Sequence, residues 1–297
     1  MRRQDELLPR RSRRRLALTG LAIVCALTLT GCGADFRRGY LPVGVTQGAP
    51  VVEGLWKWSW IAALTVGVIV WGLTIWCVVA YRRGKDDTGL PVQMRYNVPI
   101  EILYTVIPLF MVGVLFFYTA KDQAFLMDTS KKPDVTISVV AKKWAWDFNY
   151  TNAGTYETGT QAELTGQAGV SKTLPTLYLP VNKRVEFVLT SRDVIHSFWV
   201  PNFLMRLDVI PSRINRFQVV PTQTGTFAGR CAELCGAYHA YMLFQVKIVS
   251  QREYDAHLAQ LKARGNVGQL SNDLNQVQME QKPSQYVPNG VNNPGRP

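Results

Sequence analysis

The stretch Cys231-Ala-Glu233-Leu-Cys235-Gly-Ala-Tyr-His239-Ala-Tyr-Met242 gathers two of the five cysteines and one of the three histidines of a 297-residue chain into nine residues. A disulfide over so short a span is geometrically awkward, although an oxidising compartment would permit one. Thiolate, imidazole and thioether form a soft donor set, which favours copper over calcium, magnesium or manganese. Zinc would accept two Cys and two His but has little use for the Met. A cysteine and a histidine on one loop, with a following Met, is the pattern of a blue-copper site, which also needs an upstream His. His196, in Asp193-Val-Ile-His196-Ser, is that residue. One thiolate is then left over, and it has a physical use if both cysteines bridge two coppers. An electron shared over two bridged metals rearranges its ligands little on reduction, which suits fast electron transfer. His257 has no such company and reads as a solvent-facing helix residue.

A site of this kind is built on a β-sandwich, and the surrounding sequence supplies one. Residues 134–140 (DVTISVV), 144–150 (WAWDFNY), 176–179, 184–190 (RVEFVLT), 216–220 (RFQVV) and 243–249 (LFQVKIV) are short, β-branched or aromatic and alternate with period two. Pro and Gly punctuate them, which predicts an all-β Greek-key sandwich. The polar, Gly-rich 151–173 reads as a long surface loop and 251–264 as a short amphipathic helix. Residues 265–297 are rich in Asn, Gln, Pro and Gly and read as disordered or as an extended docking tail.

Upstream the composition changes. Residues 61–81 and 102–120 carry no charge, and at about 1.5 Å per residue each spans the ~30 Å hydrocarbon layer. Trp56, Trp58 and Trp60 mark an interfacial belt before the first span. The connector 82–95 holds four basic residues, which places it in the cytoplasm and both ends of the hairpin outside. A buried helical hairpin of a soluble protein is the bland alternative. Glu101 stands one residue before the second uncharged run; such a carboxylate is either a snorkelling end residue or part of a proton path.

The N-terminus reads as an address. Seven arginines (2, 3, 10, 11, 13, 14 and 15) precede the uncharged 16–31, too short to span a bilayer comfortably but suited to a signal peptide. It ends in Leu29-Thr30-Gly31-Cys32, which resembles a bacterial lipoprotein signal with Cys32 as the lipid attachment point; Ser12-Arg13-Arg14 also resembles a twin-arginine export signal. Cys25 and Cys77 are apolar fillers. Net charge is +12 for the whole chain and +7 without residues 1–31. The basic balance is therefore partly an export signal and not a nucleic-acid footprint. No Cys-x-x-Cys-His occurs, so the chain holds no c-type haem of its own.

Taken together, C-x-E-x-C-x3-H-x2-M, the upstream D-V-x-H-S and the paired spans resemble subunit II of the haem-copper cytochrome c oxidases over roughly residues 50–250. The resemblance implies a cupredoxin-like domain with a binuclear CuA centre. It implies that Cys231 and Cys235 bridge the coppers, that His196 and His239 each bind one, and that Met242 and the Glu233 carbonyl are weak ligands. It further implies a magnesium site shared with subunit I through the Glu233 side chain. Trp144, in Lys143-Trp144-Ala-Trp146, matches the electron-entry tryptophan; its alternative is a core strand aromatic. Glu101-x3-Thr105-x2-Pro108 matches the segment whose glutamate lies at the mouth of a proton channel in subunit I.

The implied organisation is a signal peptide (1–31), an extracytoplasmic lead (32–54), a transmembrane hairpin (55–121), a cupredoxin CuA domain (122–250) and a C-terminal helix and tail (251–297). The implied partners are oxidase subunits I and III, membrane lipid and a cytochrome c donor, with no nucleic acid. One departure concerns a turn: the family's D-x-x-P-G-R is here Asp208-Val-Ile-Pro211-Ser212-Arg213. Another concerns the donor, because residues 134–250 hold 11 basic and 8 acidic residues. A mildly basic domain fits poorly with a mobile basic cytochrome c and better with a cytochrome c held on a membrane-bound bc complex. The other readings are a lipid-anchored copper-binding or copper-delivery module, and subunit II of a quinol oxidase, whose relatives have lost the copper ligands. Oxygen reduction itself belongs to a partner, since two of three histidines are committed to copper.

Overall fold

In a computed structural model of the chain, the described residues are 19, 33–84, 89–90, 93–160, 162 and 174–273. The expected signal 1–31 is outside them apart from residue 19, and Cys32, the expected lipid attachment point, is outside them as well. Residues 33–41 belong to a small unit of their own, with one helical turn, α1 (Gly33–Arg37).

The two apolar runs form helices longer than their uncharged cores, α2 (Ala49–Ala80) and α3 (Val98–Leu126). At 32 and 29 residues they are about 48 and 44 Å long, so each continues beyond a bilayer's hydrocarbon. Large side chains such as Val68, Val79, Leu109 and Phe110 are more than two-thirds exposed. Helices that are apolar all round without being buried are membrane spans, not core helices. Cys77 is exposed on the same apolar surface. Asn97 caps α3: its side chain accepts from the Ile100 N–H, and the Glu101 carboxylate accepts from the Asn97 N–H at 2.9 Å.

The remainder is a sandwich of two five-stranded sheets. One has the order β3-β2-β1-β5-β8, from β1 (Val135–Lys142), β2 (Ala145–Tyr150), β3 (Thr155–Thr158), β5 (Val185–Ser191) and β8 (Asn215–Val219). The other is β4-β10-β9-β6-β7, from β4 (Thr176–Pro180), β6 (His196–Val200), β7 (Met205–Val209), β9 (Gly225–Cys231) and β10 (Leu243–Val249). Two pairs, β1/β5 and β4/β10, are parallel; the others are antiparallel. Trp146, Phe148, Phe187, Phe198 and Phe244 interdigitate between the sheets, each at most 1% exposed.

Both ends of the helical hairpin are tied to this sandwich. Before α2, Val45 is buried in the sandwich core and donates to the Asn202 carbonyl, while Thr222 donates to Val45. After α3, Gln218 of β8 donates to the carbonyls of Thr129 and Lys131. Both ends of the hairpin are thus anchored to the same domain.

Three expectations change. The stretch 151–173, read as a loop, opens with edge strand β3, and Ala162 is buried, donating to the Tyr241 carbonyl. Residues 265–273, read as part of a disordered or docking tail, pack on the sandwich; 274–297 lie outside the described residues. His257, read as solvent-facing, is buried under α4 (Gln251–Ala263), stacked on Tyr178 at 3.7 Å. It shares the buried face with Tyr254 and Leu261, because residues three and four apart on a helix share a side.

Candidate metal centre

The residues singled out in the sequence arrive from three places. His196 opens β6, Cys231 closes β9, and Cys235, His239 and Met242 sit on the loop leading into β10. The antiparallel pairing of β6 with β9 sets Phe198 opposite Cys231, which brings the two strands' ligand ends together. His196 and Met242 are fully buried, and the two cysteines are 4–5% exposed.

The donor atoms form a chain. His196 Nδ1 is 3.8 Å from Cys231 Sγ, the two Sγ atoms are 3.9 Å apart, and His239 Nδ1 is 3.5 Å from Cys235 Sγ. The Glu233 carbonyl lies 3.2 Å from Cys231 Sγ, and Met242 Sδ lies 3.9 Å from Cys235 Sγ. The sulfurs are not in a disulfide. Ligand atoms of His196, Cys231 and Cys235 all fall within 4.8 Å of one another, close enough to share an ion. Two central sulfurs, one imidazole nitrogen beside each, and two weak donors outside them form a soft set that fits paired copper ions.

Electrostatics favour the same conclusion. Burial opposes ionisation of Cys231, but the His196 hydrogen bond and the Glu233 and Ser197 backbones more than offset it, so its pKa is lowered. Cys235 is pushed up to about 12, by burial first and then by the charge on Cys231. Cys231 thus gives up its proton more readily than Cys235, and cations bound between them would favour the thiolate form of both.

Asp193 was quoted within the sequence motif without a role, and the structure gives it one. Its Oδ1 is 2.7 Å from His196 Nε2, and it also accepts from the backbone N–H groups of Val194 and Lys143 at 2.7 Å. A proton held on Nε2 leaves Nδ1 free to face the sulfurs. Trp146 Nε1 donates to the Met242 carbonyl at 3.3 Å, fixing the end of the ligand loop. Trp144 is half-buried, donates from Nε1 to the Cys235 carbonyl at 3.2 Å and packs edge-on against Tyr238 at 4.8 Å. An Asp three residues before a candidate ligand His, and aromatics flanking a strand start, were the available signals for these contacts.

Glu101 is remote in sequence from this cluster, at the cap of α3, and its carboxylate is used there. Ser212, in the turn where the resemblance implies Gly, adopts φ +62. That left-handed conformation favours glycine, and Ser fills it at a modest strain.

A cupredoxin-like sandwich carrying a soft-metal cluster at one end and a membrane hairpin at the other defines a membrane-anchored redox-metal protein. Comparison with known proteins narrows the class. The family described as "Cytochrome C oxidase subunit II, periplasmic domain" matches residues 135–249. A probable cytochrome c oxidase subunit 2 of Streptomyces avermitilis is 46% identical over 92% of this chain and 95% of its own. The cytochrome c oxidase subunit 2 of Mycobacterium tuberculosis is 36% identical over 85% and 83%. The crystal structure of the periplasmic domain of subunit II of the Bradyrhizobium japonicum oxidase covers 45% of this chain and 97% of that one, at 31% identity and a TM-score of 0.42. The chain belongs to the cytochrome c oxidase subunit 2 family.

Proposed function

We infer that this chain is the electron-entry subunit of a respiratory oxidase, accepting electrons from a cytochrome c donor at a binuclear copper centre and passing them to haem in subunit I. The observation that supports this most is the Nδ1–Sγ–Sγ–Nδ1 order of His196, Cys231, Cys235 and His239. Cys231, Cys235, His196 and His239 would hold the two coppers, with Met242 and the Glu233 carbonyl as weak ligands. Such a pair supplies one-electron chemistry with little rearrangement. The chain's own work is to set both sulfurs side by side, to keep the His196 Nδ1 unprotonated through the Asp193 carboxylate on Nε2, and to exclude water with Trp146, Phe198 and Met242. Trp144, in contact with the Cys235 carbonyl, is the proposed entry point for the electron. The Glu233 side chain is proposed as a magnesium ligand shared with subunit I, and Glu101 as the entrance of a proton channel there.

Residues 1–31 are proposed as an export signal with Cys32 lipidated, which sets the sandwich and both hairpin ends on the extracytoplasmic side of a bacterial plasma membrane. Subunits I and III would cover the apolar faces of α2 and α3. For the donor, the mildly basic domain favours a cytochrome c fixed in a membrane bc complex, docked as a supercomplex. Fast, steeply salt-sensitive reduction by free soluble cytochrome c would overturn that choice.

Metal analysis of the purified oxidase tests the reading. Two coppers in this chain, with the seven-line EPR pattern of one electron shared over two equivalent I = 3/2 nuclei, is the expected result. One copper, or zinc, would favour a metal-binding module instead.

A further inference from the structure

We propose that Arg192 is a positioning residue for the copper ligand His196, and that residues 265–273 act on the site through it. After α4 the chain turns at Gly265, φ +84, and runs back over the first sheet. The Asn266 carbonyl accepts from Tyr156 N, Val267 bridges to Thr155, and Gly268 N donates to the Gly154 carbonyl at 2.8 Å. Leu270 is then clamped by one side chain: its N–H donates to Asn149 Oδ1 at 2.9 Å, and its carbonyl accepts from Asn149 Nδ2 at 3.1 Å. Asn149 lies between Phe148 and Tyr150, which point into the core, so it faces outward; it is nevertheless fully buried. A carboxamide can offer a donor and an acceptor to one residue's backbone, and a buried one left unpaired is costly. Asn149 is therefore placed to hold a peptide segment.

At Asp273 that segment meets the turn between β5 and β6. Arg192 Nε donates to the Asp273 carbonyl at 3.1 Å, while Arg192 N donates to the Ala141 carbonyl at 3.0 Å. The turn between β5 and β6 is thus tied to β1 by its backbone and to the C-terminal strap by its side chain. The next residue in that turn is Asp193, whose carboxylate holds His196 Nε2 and the Lys143 N–H. A hydrogen bond joins the strap to Arg192, the chain joins Arg192 to Asp193, and a hydrogen bond joins Asp193 to His196.

The proposal rests on His196 being a copper ligand and goes one step beyond it. Altering a group that orients a metal-bound His costs roughly 10–100-fold in metal affinity; one bond further out, about three- to tenfold is expected. The experiment uses the purified oxidase and follows copper loss to a chelator together with the EPR hyperfine pattern. Arg192→Ala and a stop after Arg264 should each speed copper loss about three- to tenfold and change the hyperfine pattern. Combined, they should do no more than either alone. A stop after Asp273, which keeps the strap, should match the wild type. If the chain ending at Arg264 fails to assemble, Asn149→Ala frees the strap in a full-length chain and takes its place. Wild-type copper retention in Arg192→Ala, multiplying effects, or an equal effect of the stop after Asp273 would each overturn the proposal. A wild-type complex without copper would overturn the site assignment too, which separates the two failures.

Discussion

The indole N–H of Trp144 meets the carbonyl of Cys235 at 3.2 Å, joining the turn between β1 and β2 to a copper-ligand candidate by a single hydrogen bond. The ring reaches that position because Gly236, at φ +122, leaves room for it. A Cβ at Gly236 would lie 3.1 Å from Trp144 Cζ2 and 3.2 Å from its Nε1. Gly236→Ala therefore combines a disfavoured backbone with a displaced indole, at a cost of about 1–3 kcal/mol. The expected outcome is a lower Tm and slower electron entry in stopped-flow reduction, with both coppers still bound. Unchanged entry kinetics with a clearly shifted Trp144 fluorescence would remove Trp144 from the electron path.

Asp193→Asn tests how His196 is held. Burial resists a charge on Asp193, yet the hydrogen bonds from His196, Lys143 and Val194 outweigh it and keep its pKa below the usual carboxylate value. The amide is nearly the same size, so packing survives, but a neutral oxygen holds the Nε2 proton less firmly. Copper affinity should fall about 10–100-fold in chelator competition, and the midpoint potential should rise because a nearby negative charge is gone. Wild-type values for both would show that Asp193 matters only to the turn.

The ligand loop was legible because its donors lie within twelve consecutive residues, Cys231 to Met242, and the apolar spans because no charge interrupts them. Strands at His196–Val200, Met205–Val209 and Gly225–Cys231 were not. They are short, and two glycines break the apolar alternation of the last. Edge strand β3 (TYET) carries little hydrophobic signal, since it is held by backbone pairing to β2 and by the Thr158–Asp147 hydrogen bond. Asn149 and Arg192 were invisible for a related reason: each does its work on a main-chain carbonyl distant in sequence, which leaves no motif.

The capping role of Glu101 and its proposed role in proton entry can be separated. Its carboxylate accepts from the Asn97 N–H at 2.9 Å, which an amide oxygen could also do. Glu101→Gln should leave the cap intact, whereas Glu101→Ala should lose about 0.5–2 kcal/mol of helix stability. If Glu101 also admits protons to the partner subunit, both variants slow turnover and proton uptake to a similar degree. Normal turnover in Glu101→Gln would leave capping as its whole contribution.

His257 gives the sandwich an acid-sensitive side. It stacks on Tyr178, meets the edge of Tyr150, which itself packs on Tyr254, and has Nε2 4.0 Å from Glu157 Oε2. Its pKa is pushed down to about 4, by burial first and then by Arg264 and Lys247. The folded value lies below the unfolded ~6.5, so as pH falls through 6.5 the unfolded chain takes up a proton that the folded chain refuses. Stability drops from there until the pH reaches about 4. The size is on the order of 1–3 kcal/mol. Glu157 works in the opposite sense: burial raises its pKa, opposed by Arg264, so its contribution worsens as pH rises above the normal carboxylate value. His257→Phe keeps an aromatic ring against Tyr178 and removes the titration. Denaturant unfolding at pH 7 and pH 5 should show the wild type losing stability on acidification and His257→Phe losing less by that amount. Parallel losses in the two proteins would mean that His257 takes up its proton as freely in the folded chain as in the unfolded one.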